Sequence, residues 1–187
     1  MQLKSLHNFF KNGLIGYYPK EEIDAFFYRI CDMHLNLKRI DIALKSDIIV
    51  AAQTFEYFEM VIERLLNYEP IQYILGSTLF FGLDFIVDKQ VLIPRPETEE
   101  LISWILEQVD TKQPIKILDV GTGSGCIAIS LAKLLPHAEV YAMDISLGAL
   151  SIAKQNAEAN QVVVQFIEAS VIEWENQDLL FDVIVSN

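Results

Sequence analysis

Leu118–Ala128 reads LDVGTGSGCIA. An apolar run ends on Asp119 and Val120, and three glycines at alternate positions, Gly121, Gly123 and Gly125, follow it. Glycine reaches positive φ without a steric penalty and lets another molecule approach the backbone. The apolar, small-residue stretch after it reads as a helix, whose first turn offers unpaired N–H groups and the positive end of a dipole. A strand, a glycine turn and a helix in that order place a nucleotide-like ligand at the carboxyl end of the strand. A dinucleotide loop wants G-x-G-x-x-G, and here the sixth position is Cys126. A phosphate-binding P-loop would end in Gly-Lys-Ser/Thr, which is missing.

Working outward, strands and helices alternate from Ile115. IKILDVG, AEVYAMD, VVVQFIEA and FDVIVSN read as strands, and SGCIAISLAKLLP and SLGALSIAKQNAEAN as helices. This alternation predicts right-handed crossovers and an α/β fold with a parallel sheet. The second strand ends on Asp144, placed to accept hydrogen bonds from ribose hydroxyls, although an acid there also serves as a helix cap. The third strand's end carries Ser170 and Val171 where an adenine contact is expected.

Upstream the texture differs. Residues 1–68 read as helical: Pro19 with Glu21 and Glu22 starts a helix whose apolar set is Ile23, Phe26, Phe27, Ile30, Met33 and Leu37, and a later one is capped by Ser46 or Asp47. His7 and His34 stand isolated and read as structural or surface residues. Residues 69–93 read as a β-hairpin connector, and 94–187 as the ligand-binding domain, opened by a helix at Pro96 with Glu97, Glu99 and Glu100 in its first turn. Cys31 and Cys126 form no CxxC and read as free thiols of a reducing compartment. No apolar run reaches membrane-spanning length and no secretory leader is visible, so a cytoplasmic protein is expected. No metal site is expected. The net charge of −12 disfavours binding to phosphate backbones.

The loop, with an acid two places before its first glycine, resembles the S-adenosylmethionine loop of class I (Rossmann-like) methyltransferases. PIQYILGSTLFFGLDFIVDKQVLIPRPETEELI, with its Q-Y-x-x-G, F-x-G-x-x-F and I-P-R-P-x-T-E elements, resembles the connector of the HemK/PrmC family of protein-(glutamine-N5) methyltransferases; FDVIVSN resembles the lead-in to that family's N-P-P-Y motif. The resemblance covers essentially the whole chain. It implies S-adenosylmethionine as cofactor, held by Asp119, Gly121, Thr122, Gly123, Ser124, Gly125, Asp144, Ser170 and Val171. It implies peptide chain release factors as partners and the glutamine of their Gly-Gly-Gln loop as substrate, with residues 1–68 recognising it. Asn187 is then the catalytic and substrate-binding residue, its side-chain oxygen and the backbone carbonyl after it accepting the substrate's amide N–H groups. Gln72, Arg95, Thr98 and Glu99 match connector positions and act mainly in support, with Arg95 and Glu99 able to form an ion pair.

The family motif would continue Pro-Pro-Tyr after Asn187, so the sequence reads as stopping inside it, with an incomplete sheet. On that reading, strand 181–186 is a bare apolar edge prone to self-association, and methyl transfer by this chain is weak or absent. Two other readings stay open. One is a DNA adenine-N6 methyltransferase, which shares an Asn/Asp-Pro-Pro-aromatic motif and is opposed by the acidic charge. The other is a non-catalytic cofactor-binding or protein-interaction fragment.

Overall fold

The computed structural model describes residues 1–44, 47–110, 113–175 and 179–187. The chain divides into two compact units, Met1–Leu75 and Gly76–Asn187. The first is helical: α1 (Leu3–Leu14), α2 (Lys20–Leu35), α3 (Arg39–Leu44), α4 (Ala52–Leu66) and α5 (Ile71–Leu75). Its core is aromatic. Phe10, Phe27 and Phe58 are fully buried, one from each of α1, α2 and α4, with ring centroids 5.4–5.8 Å apart, a spacing that favours tilted and edge contacts. Of the apolar set on α2, Ile23, Phe27 and Ile30 are buried, but Met33 is 48% exposed.

Two expectations are corrected in this unit. Ser46 lies outside the described residues, and Asp47 caps nothing, because α4 begins only at Ala52. The backbone before it is drawn into extended pairing with the N-terminus: Leu3 N donates to Ile48 O and Val50 N to Met1 O. The start of the expected hairpin is instead α5. Tyr73 and Ile74 donate to Pro70 O, and Ile71 and Ile74, three residues apart on one helical face, enter the helical core. The unit boundary therefore falls after Leu75, later than residue 68.

The second unit opens with the hairpin β1 (Ser77–Phe80) and β2 (Leu83–Ile86), then α6 (Glu97–Gln108), β3 (Lys116–Val120), α7 (Cys126–Leu134), β4 (Glu139–Asp144), α8 (Leu147–Ala159), β5 (Gln165–Glu168) and β6 (Val183–Ser186). The hairpin turns on Phe81 and Gly82, both with positive φ (49° and 75°), the two-residue turn whose twist matches its strands. Phe81 is held in that conformation by Glu99, whose Oε1 accepts its N–H at 2.8 Å.

The four remaining strands form one parallel sheet in the order β5-β4-β3-β6, as the alternation predicts. The helices and the hairpin cover one face of the sheet. Ile117, Val140 and Val185 pack with Ile102 and Ile105 of α6, Ile127 of α7, and Phe80 and Phe85 of the hairpin. Their neighbours Leu118, Tyr141 and Met143 point the other way, toward Trp174 and Phe181. Among the described residues β6 is an edge strand, paired with β3 alone.

Candidate active site

The carboxyl ends of β3, β4 and β6 bring the sequence's candidates together. Gly121 N and Thr122 N both donate to Met143 O at the end of β4, at 2.8 and 2.9 Å, so the loop leaving β3 is strapped to the neighbouring strand. Asp144, the next residue, has one carboxylate oxygen on Gly123 N (2.9 Å) and the other on Ser146 N (2.9 Å). One half-buried side chain thus shapes the loop and starts α8, and each oxygen keeps a second lone pair for a hydroxyl donor. Ser170 and Val171 follow β5 beside it, where Ala169 N donates to Asp144 O; Val171 is 57% exposed.

The loop glycines differ in what they face. Gly121 (φ 72°) has no atom within 4 Å of where a Cβ would stand, and Gly123 (φ 55°) only the loop's own Gly121 carbonyl, at 4.0 Å. This is the open, side-chain-free backbone that a ligand can approach. Gly125 (φ 81°) is crowded: a Cβ would lie 2.8 Å from Ile129 Cδ1 and 3.1 Å from Ala153 Cβ. Glycine is required at 125 by the packing of α7 against α8.

Thr122 and Ser124 line the cleft described below, whereas Asp119 lies beneath the loop and does not. All three are buried, Asp119 with 1% exposure. Asp119 Oδ2 accepts from Thr122 Oγ1 at 2.6 Å and Ala128 N at 3.2 Å, tying β3, loop and α7 together from beneath. Loss of solvation raises its pKa from 3.8 to about 6, with Asp144 adding to the rise and the two hydrogen bonds opposing it. The folded state therefore holds this proton more tightly than the unfolded chain. The resulting stability is full below about pH 4 and is lost as the pH rises through about 6, an effect on the order of 2–3 kcal/mol. Asp119→Asn should flatten the pH dependence of unfolding across that window; identical profiles for the two proteins would refute this origin.

A residue the sequence reading passed over completes the scaffold. Asn156, on α8 and fully buried, accepts from Ile86 N (2.6 Å) and donates to Ile86 O (3.0 Å) and Ser124 O (2.9 Å). It joins hairpin, helix and glycine loop through one amide. The available signal was an asparagine inside a helix, a position its side chain disfavours unless tertiary partners satisfy it.

On the other side of the loop, Asn187 follows β6 and its Nδ2 donates to Thr98 Oγ1 at 2.6 Å. Thr98 is 5% exposed, in the first turn of α6. Asn187, Thr98, Arg95, Pro94 and the loop from Gly121 to Ser124 line one narrow cleft of about 90 Å³, room for a small group rather than a whole nucleoside. Asp144 stands outside the cleft's lining. Among the described residues no Arg95–Glu99 ion pair forms, since Glu99 holds the hairpin turn. Gln72 lies in α5 of the helical unit and belongs to none of these contacts. Cys126, at the start of α7, is a free, buried thiol pushed up to about 12 by burial, and so is Cys31 in the helical unit; neither is poised as a nucleophile.

The chain matches the PrmC N-terminal domain over residues 16–76 and the methyltransferase small domain over residues 101–187. The release factor glutamine methyltransferase of Flavobacterium psychrophilum is 45% identical over 190 residues, a match covering 100% of this chain and 67% of that protein. This chain belongs to the release factor glutamine methyltransferase family. The Bacteroides thetaiotaomicron member is 43% identical, with 96% of this chain and 64% of that protein covered. The chain thus spans about two thirds of the length of these relatives. Among solved structures, the Thermus thermophilus 16S rRNA N2 G1207 methyltransferase, in complex with AdoMet and guanosine, is similar in fold, with a TM-score of 0.50 and 23% identity over 59% of this chain and 31% of that one.

Proposed function

We propose that this protein methylates N5 of the glutamine in the Gly-Gly-Gln loop of peptide chain release factors, using S-adenosylmethionine. The observation that carries the proposal is the Asn187–Thr98 pair set across a narrow cleft from the open glycines. The cofactor supplies an electrophilic methyl group. The residues present fit it: open backbone at Gly121 and Gly123, an acceptor for ribose hydroxyls at Asp144, and Ser170 and Val171 beside that acid for the adenine. Asp119, Thr122, Ser124 and Gly125 support the loop from within.

An amide nitrogen is a poor nucleophile because its lone pair is delocalised. Thr98 accepts from Asn187 Nδ2 and so turns Asn187 Oδ1 the opposite way, as an acceptor for the substrate's amide N–H. That contact orients the nitrogen and favours the positive charge that develops on it. No strong base is needed beforehand, since the proton can leave after transfer.

Mass spectrometry of a release factor incubated with the protein and S-adenosylmethionine tests the proposal. One added methyl group on the Gly-Gly-Gln glutamine is expected, at the low yield that the sequence reading implies for this chain, and none with Asn187→Ala. A methyl elsewhere, or undiminished product from the variant, would contradict it.

We assign substrate recognition to the helical unit and the cytoplasm as location, which suits two buried free thiols. Among the described residues no helix is long and apolar enough to cross a membrane. The net charge of −12 supports a protein substrate over DNA. A second copy is the further partner: Ile184 on β6 and Trp104 on α6 are 66% and 62% exposed and line a groove of about 390 Å³, and an edge strand can join its own copy. Sedimentation should then depend on concentration; a monomer throughout the micromolar range would contradict that assignment.

A further inference from the structure

The helical unit carries a cleft of about 500 Å³ between α1, α2 and α3. Its floor includes Leu3 and Ile42, 1% and 8% exposed. Its polar lining is Lys4 and His7 from α1, Tyr28 from α2 and Arg39 from α3. In a chain with 26 acidic and 14 basic residues, both charged side chains that line this cleft among the described residues are basic, and no carboxylate among them lines it.

Arg39 and His7 are held in place before any ligand arrives. The Arg39 guanidinium carbon lies 4.9 Å from the Tyr28 ring centroid, a stacking that limits the side chain's freedom and presents its planar N–H fork. The His7 ring stacks on Phe27 at 4.1 Å, and its Nε2 is fixed by Asp24 at 2.9 Å. Asp41 Oδ2, on the same helix as Arg39, accepts from Lys38 N.

We propose that this cleft binds a compact amphipathic anion: one carboxylate or phosphate group carried on an apolar body. Arg39 and Lys4 take the charge, and Leu3 and Ile42 take the body. The chain's net charge repels an extended polyanion, whereas a single anionic group meets only the local cations. The site is separate in kind from the methyl-transfer chemistry proposed above and does not rest on it.

The test titrates the protein, by amide NMR, with phenyl phosphate as a free monoester and with a doubly capped Phe-Glu dipeptide as a peptide-borne carboxylate. Saturable shifts confined to α1, α2 and α3 are expected for at least one probe, and the tighter of the two identifies the source of the natural anion. Arg39→Gln and Lys4→Gln change exposed side chains, and unaltered melting would verify their folds. Each should weaken binding about tenfold, the loss of one charge-assisted hydrogen bond. S-adenosylmethionine should not compete. Silence with both anions, equal shifts with neutral benzyl alcohol, or undiminished affinity in both variants would overturn the proposal.

Discussion

Gly125→Ala should destabilise the C-terminal unit by about 2–4 kcal/mol, because two penalties coincide at one atom. A Cβ in the left-handed region costs about 1–2 kcal/mol, and this one also meets Ile129 and Ala153 in a closed interior, where overpacking costs about 1–3 kcal/mol. Relief is hard to find. Gly125 N is fixed on Thr122 O and Ile129 N on Gly125 O, both at 2.8 Å, so the glycine cannot swing away without opening the first turn of α7. Gly121→Ala is the contrast: its φ is also positive but its surroundings are open, so only the smaller backbone penalty applies while a ligand's approach is obstructed. Urea unfolding of the two variants separates these roles. Equal losses of stability would mean that the crowding around Gly125 is absorbed by the side chains.

Asp144→Ala should lower affinity for S-adenosylmethionine about 100-fold. One carboxylate arranges the loop through Gly123 N and, on the proposed reading, also accepts from the ribose hydroxyls. Hydrogen bonds to a charged group are each worth about 1.5–3 kcal/mol, and a factor of ten corresponds to about 1.4 kcal/mol, so two lost contacts reach that scale. Asp144→Asn keeps an acceptor for Gly123 N and should fall between the two. Calorimetric titration of the three proteins reads the order directly. Equal affinity in all of them would remove Asp144 from the ligand site and leave it as the link between Gly123 N and Ser146 N.

Much of this was legible in sequence where a pattern repeats over enough residues. The apolar runs around Asp119, Asp144 and Val185 have no other good solution than buried parallel strands, and the glycines between Val120 and Cys126 mark the turn. What was not legible depended on partners far along the chain. The five-residue α5, rich in Ile and Tyr, has β-like composition; Pro70 and the burial of Ile71 and Ile74 override it. Asp47 was a plausible cap until residues 48–50 paired with the N-terminus. Asp119 and Gly125 sit in the right motif, yet the structure turns both inward, which only the packing of α7 and α8 decides. The bonds from Asn156 to Ile86 span 70 positions and that from Asn187 to Thr98 spans 89, so neither appears in a local window.

The central claim is that the glycine loop and Asp144 form a cofactor site within this chain. Isothermal titration of the folded protein with S-adenosylmethionine tests it most directly. Saturable binding at one site per chain is expected, displaced by S-adenosylhomocysteine and weakened by Asp144→Ala. No heat from a chain that still melts cooperatively would contradict it.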